Sequence, residues 1–341
     1  MKELLKELCL CSGVSGYEDE IRACIEKKIE AYADEMYTDP LGNLMVFKKG
    51  AARRKEKMLV CAHMDEVGFL IRDITADGML RLASVGGIDP RILIGRKMEV
   101  GAKRVKGVIS LKAIHLTTAE ERKVAASLDS LYIDIGVSSK KEAEQLTFVG
   151  DYATFDSPFR EFGDQRIKCK AIDDRIGCAV MIKMIEEGVP YDTWFAFTVG
   201  EEIGLRGALT AAGAVKPDIS LVIEGTTAGD IPGVPEHRRV VSQGKGAAVY
   251  LADKATIYKR ELVRSITEKA TQAGIRWQYR VSMTGGNDSG SIHLTGDGAL
   301  AFAIAAPCRY IHSACNVLYY PDAEEVLRLA KLFVKEAKLD A

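Results

Sequence analysis

From Ile167 onward the sequence alternates apolar runs of strand length with helical patterns, and this alternation constrains the fold most. Helical patterns cover residues 174–187, 206–213 and 259–272, with a closing helix from Asp322. Between them lie strand patterns at 193–199 ("TWFAFTV"), 219–223 ("ISLVI"), "AAVYLA", "IRWQYRV" and "ALAFAIA". Strands that alternate with helices bury both faces of one sheet, so the pattern predicts an α/β layer sandwich. Toward the N-terminus, Ser15 and Glu18 have the spacing of a capping box, and Ile21, Ile25 and Ile29 recur at helical period. This predicts an amphipathic helix over 16–32. "DPLGN" (39–43) is a turn before "LMVFKK", and "MLVCA" (58–62) reads as a buried strand ending at His63.

Between Gly68 and Gly163 the texture changes to short alternating strands separated by turn signals, with one helical stretch, "SSKKEAEQL", opened by Ser138 or Ser139. The chain has 341 residues, 47% of them apolar, which is more than one core usually holds. Two units are therefore expected: an α/β domain from 1–66 and 164–341, and a β-rich insertion at 67–163.

A formal net charge of -1, with both signs mixed along the chain, provides no field for nucleic acid or an anionic membrane. The charged N-terminus does not read as a signal peptide, and no apolar stretch is long enough to span a bilayer. The eight cysteines contain no C-x-x-C and several sit in apolar segments, so they read as reduced, mostly structural thiols. These features together predict a cytoplasmic protein acting on small substrates.

The polar residues at strand ends carry the chemistry. His63 and Asp65 follow one strand, Glu201 and Glu202 follow another inside the glycine-rich "GEEIGLRG", and Glu224 follows "ISLVI". His312 lies after "ALAFAIAAPCRY", and Asp173 and Asp174 open a helix, where one of the two is expected to serve as its cap. Taken singly, each reads equally as a polar stop, a cap or a core histidine. Open α/β sheets, however, gather such residues at the carboxyl ends of their strands. Two histidines and three carboxylates suit divalent transition ions, zinc above all, and exceed what one tetrahedral ion needs. If one carboxylate bridges, the set closes around two ions.

"AHMDEVGF", "KAIDDRIG", "GEEIGLRGA", "IEGTTAGDIPG" and "PCRYIHS", in that order over nearly the whole chain, resemble the deblocking or glutamyl aminopeptidase family of dinuclear, TET-type metallopeptidases. The resemblance implies an αβα sandwich around a mixed sheet, with the small β-rich domain inserted for assembly into a homo-oligomer, from dimer up to dodecamer. It also implies two divalent ions per chain, Zn²⁺ or alternatively Co²⁺. His63 and His312 would be terminal ligands, Asp173 the bridge, and Glu202 and Glu224 the remaining carboxylate ligands. Glu201 would be the general base, and Asp65 would orient His63 through its other ring nitrogen. The implied substrates are peptides with a free N-terminus. Glu224 stands where the family commonly has aspartate, "HSACNV" replaces the usual residues after the histidine, and Asn287 stands where threonine is commoner. A glycoside hydrolase using paired carboxylates and a non-enzymatic metal-binding protein are the alternatives.

Overall fold

The computed structural model describes residues 1–339. The chain opens with helices α1 (Lys2–Leu10) and α2 (Asp19–Ile29), then strands β1 (Glu35–Thr38), β2 (Leu44–Lys48) and β3 (Met58–His63). Next come β4 (Gly68–Ile74), β5 (Leu80–Val85), β6 (Lys97–Val100), β7 (Val105–Ser110), β8 (Tyr132–Asp134), α3 (Lys140–Ala143) and β9 (Tyr152–Phe155). The chain continues through β10 (Arg160–Phe162), β11 (Arg166–Cys169), α4 (Ile172–Glu187), β12 (Thr193–Thr198), α5 (Arg206–Val215) and β13 (Ile219–Thr227). The last elements are β14 (Ala247–Tyr250), α6 (Arg260–Gln272), β15 (Trp277–Arg280), α7 (Ser289–Ile292), β16 (Leu300–Arg309), β17 (Asn316–Tyr319) and α8 (Tyr320–Glu336).

Eleven strands form one mixed sheet in the order β1-β2-β12-β3-β13-β16-β17-β11-β10, with β14 joining β16 and carrying β15. Its centre, β12-β3-β13-β16, is parallel, and antiparallel strands flank it on both sides. All six residues of β3 are buried, as expected of a parallel strand covered on both faces. Helix α4 packs on β3 and β13 and is itself covered by α1, α2 and α8. That enclosure explains why its sequence is apolar almost all round rather than on one stripe. Helices α5 and α7 pack on each other and against the same central strands. The molecule is thus an αβα sandwich with a mixed sheet.

Strands β4-β5-β8-β7-β6-β9 close into a separate six-stranded barrel with its own core, including Phe69, Ile71, Leu82, Met98, Ile109, Ile133 and Phe155. Ala314 of the large domain is buried against that core, so the two units share a packed seam. Strand β10 lies within the 67–163 span but pairs with β11 in the large sheet.

Three local expectations change. The second helix begins at Asp19, not residue 16, because Ser15 gives its hydroxyl to the buried carboxylate of Asp65 (2.6 Å) instead of capping. Helix α1 was not anticipated; its buried Leu5, Leu8 and Cys9 are too few to announce a period. "SSKKEAEQL" forms only the single turn of α3, whose Ser139 accepts from the Glu142 amide at 3.3 Å. No helix among the described residues is long and apolar enough to cross a membrane.

Candidate metal centre

His63 ends β3, the Glu201–Glu202 pair sits in the turn after β12, and Glu224 lies near the end of β13, so neighbouring parallel strands deliver four of the polar groups side by side. Asp173 enters from the first turn of α4, where its backbone is not helical and its peptide bond to Asp174 is cis. His312 enters from the turn between β16 and β17 in a left-handed conformation (φ 57°). All the predicted site residues therefore meet in one place, at the carboxyl ends of the central strands.

The groups fall into two triads with a shared member. His63, Asp173 and Glu224 offer ligand atoms within 4.8 Å of one another, and so do Asp173, Glu202 and His312. His63 Nε2 is 3.7 Å from both Asp173 Oδ1 and Glu224 Oε2. His312 Nε2 is 3.3 Å from Glu202 Oε2 and 4.0 Å from Asp173 Oδ2. Each oxygen of Asp173 thus faces a different histidine. Glu201 forms a third group with His63 and Glu202 but does not join Asp173 in one.

Asp65 is fully buried and holds the frame. Its carboxylate accepts from Ser15 Oγ (2.6 Å) and from the Glu201 and Glu202 amides (3.1 and 3.2 Å). His63 Nδ1 lies 3.1 Å from the Asp65 carbonyl and 3.4 Å from its carboxylate, which leaves Nε2 aimed at the cluster. His312 is oriented in the same way, its Nδ1 2.8 Å from the carbonyl of Gly87, a residue of the β-rich segment. Asp173 accepts from the Gly225 amide at 3.2 Å, and a Cβ on Gly225 would stand 2.7 Å from that same oxygen, so only glycine permits the approach. Asp174 joins none of the ligand groups, is fully buried and accepts from the Gly177 amide at 3.0 Å, which makes it the capping member of the pair.

The electrostatics call for a cation. Burial pushes the Glu201 and Glu224 carboxyls well above the usual range; His63 opposes the shift, while neighbouring carboxylates add to it. Glu202 is pushed up to about 8, again mainly by burial. Burial opposes a charge on His63, yet Asp173 and Asp65 draw its pKa upward. Crowded carboxylates shifted in this way would take up protons unless positive ions stood among them. Glu224 Oε1 is buried with no hydrogen-bond partner in the protein, as expected of a ligand atom. The donor set of imidazole and carboxylate is that of zinc-class divalent ions. Above the cluster opens a cleft of about 890 Å³, whose walls include Tyr250, Lys254, Arg280 and Gly285.

Sequence reasoning missed the supporting residues. Ser15 had a competing local explanation as a cap, and Gly87 lies in a segment that contributes no ligand. Asn316, whose side chain accepts from the Asp173 amide at 3.4 Å, resembles any turn residue. Gly225 was findable, because a glycine directly after Glu224 at the end of a buried strand signals close approach.

Residues 42–329 match the family model described as M42 glutamyl aminopeptidase. The lysyl aminopeptidase of Pyrococcus furiosus is 30% identical over 98% of this chain and 97% of its own. A TET aminopeptidase from a marine sediment archaeon, Thaumarchaeota archaeon SCGC AB-539-E09, superimposes with a TM-score of 0.95 at 35% identity, covering 99% of this chain and 97% of that one. The TET1 peptidase of Pyrococcus horikoshii, described as assembling into a tetrahedron or a large octahedral shell, matches with a TM-score of 0.86 at 33% identity over 98% of both chains.

Proposed function

The chain belongs to the M42 glutamyl aminopeptidase family and is an aminopeptidase, a hydrolase; from that premise we propose that its strand-end cluster holds two divalent metal ions and removes N-terminal residues from peptides with a free amino terminus. His63 and Glu224 would hold one ion, Glu202 and His312 the other, and Asp173 would bridge them. The observation that carries this reading is the position of Asp173 in both triads, one oxygen toward each histidine. Zinc is the ion the donor set favours, with cobalt as the alternative. When bound, two such ions supply Lewis acidity at the scissile carbonyl and acidify a water molecule.

The protein's own groups carry the proton traffic. Glu201 takes a proton from the attacking water and returns it to the leaving amine, the role of a general base turned general acid. The Asp65 carboxylate holds that glutamate in place through its amide, and the Asp65 carbonyl, 3.1 Å from His63 Nδ1 with the carboxylate at 3.4 Å, fixes the tautomer and direction of His63. An acid-rich floor reads a free amino terminus, which carries a basic lone pair that an acylated one lacks. The chain would work as a homo-oligomer, as the Pyrococcus horikoshii relative does, with the barrel domain supplying the contacts.

The test is metal analysis of the purified protein, followed by chelation and reconstitution with single metals. Activity is read on a panel of aminoacyl chromogenic substrates and on one peptide in free and N-acetylated form. Two ions per chain, chelator-sensitive turnover and a steep loss on acetylation are expected. Full activity after removal of all metal, or equal rates on the two peptides, would overturn the reading.

A further inference from the structure

A buried ionic cluster lies beside the metal centre and supplies none of its ligands. Glu66, in the turn between β3 and β4, Lys170, directly after β11, and Arg175 of α4 are all buried. Lys170 Nζ donates to Glu66 Oε1 at 2.5 Å and to the Cys11 carbonyl at 2.8 Å. Arg175 Nη2 stands 3.6 Å from the same Glu66 oxygen, and the Gly13 amide donates to it at 3.1 Å. One carboxylate oxygen thus gathers two cations and a backbone amide. Charges withdrawn from water lose hydration that their attraction barely repays, and apolar groups of similar volume often serve stability as well. Stability alone is therefore a weak reason to keep this cluster.

The segment it grips is the one that carries Asp173. Lys170 precedes Asp173 by three residues and Arg175 follows it by two, so both ends of one short turn are drawn to Glu66. The backbone between them does not hold itself. Ala171 is left-handed (φ 52°), a conformation its Cβ disfavours, and Asp173 (φ -81°, ψ 109°) is not helical although it lies within α4. A cavity of about 10 Å³, too small for more than about one water molecule, separates the cluster from the ligands; Glu66, Lys170, Asp173, Glu202 and His312 are among its walls.

We propose that Glu66 is a positioning residue for the bridging carboxylate: through Lys170 and Arg175 it staples the turn that holds Asp173 between the two histidines. The inference rests on the two-ion reading above. Because Asp173 belongs to both triads, loosening its turn weakens both ion sites together, whereas losing a terminal ligand weakens one.

The test uses the metal-free full-length protein titrated with Co²⁺, with affinity and stoichiometry from calorimetry, the d–d absorption spectrum at saturation, and the unfolding midpoint before metal is added. Lys170→Met frees one end of the turn and leaves Glu66 balanced by Arg175, so it should fold. It should bind both ions roughly 10–100-fold more weakly, with a changed d–d spectrum, the range seen when groups behind metal ligands are removed. Glu66→Gln frees both ends and should weaken both ions further; if it does not fold, Lys170→Met carries the test. A lowered midpoint in Lys170→Met with wild-type affinities and spectrum would make the cluster purely structural and overturn the proposal, as would weakening of one ion alone. A wild-type protein that binds a single ion would instead overturn the two-ion reading. The staple would then show as weaker binding and a changed spectrum at that ion in Lys170→Met, and unchanged values there would overturn it too.

Discussion

Glu201 and Glu202 are neighbours in the chain yet face different partners. The second stands 3.3 Å from His312 and in a triad with Asp173, while the first shares a group with His63 but not with Asp173. Glu201→Gln keeps the shape and removes the basicity, so it should retain both metal ions while losing roughly 10²–10⁴ in turnover, the usual contribution of general acid–base catalysis. Glu202→Gln should lose one ion instead, because a neutral amide ligates poorly. Metal content and kcat measured on both variants decide the assignment; the reverse pattern exchanges the two roles. Ser15 tests the support one bond farther out. Its hydroxyl reaches Asp65 at 2.6 Å, and Asp65 in turn carries His63 and both glutamate amides. Ser15→Ala should therefore weaken metal retention or turnover by about 10–100-fold, the range seen when groups behind metal ligands are removed. Unchanged values for both would make Ser15 a bystander.

The central strands deliver the site, and one ion pair fastens them at its rim. Arg309, the last residue of β16, donates from Nε and Nη2 to the two carboxylate oxygens of Asp230, each at 2.8 Å, on the segment that follows β13. Burial opposes ionisation of Asp230, but Arg309 and the Gln243 amide outweigh it and hold its pKa below the usual value. A depressed folded pKa means that the unfolded chain binds the proton more readily. The stabilisation is therefore present above the unfolded pKa of about 4 and is lost as pH falls through the folded one. Asp230→Asn should cost stability at neutral pH and progressively less in acid. Unfolding midpoints across pH check this, and a constant difference between the two proteins would contradict it. No sequence pattern announced this pair, since it joins residues on separate connections. What the sequence did announce were elements whose period reports burial directly, such as β3, β12 and β13, together with the polar residues at their ends. Helix α1 was hidden because its three buried residues are too few to announce a period, and the true start of α2 because a tertiary partner, Asp65, outcompeted a local cap for Ser15. The supporting carbonyl of Gly87 was hidden for a related reason: a carbonyl is the same in every residue, and only the fold says which one reaches the site.

At the scale of the molecule, the barrel stands on the large domain through a shared seam at Ala314 and reaches the metal centre through the Gly87 carbonyl. Deleting residues 67–163 would therefore disturb His312 as well as any subunit contact, and smaller particles from such a deletion would not isolate the contact. The barrel's outer surface permits a cleaner test. Ile114 and Val124, on the connection between β7 and β8, are 70% and 74% exposed. If this surface joins subunits, Ile114→Glu with Val124→Glu places like charges across a contact that two copies must bury, and the assembly should fall to smaller species in sedimentation velocity. Both side chains project from a connection that supplies none of the proposed ligands, so metal content and turnover per chain on an aminoacyl chromogenic substrate should stay near the wild-type values. Retained activity in a smaller particle would separate assembly from chemistry. An unchanged sedimentation coefficient would rule this surface out as a subunit contact.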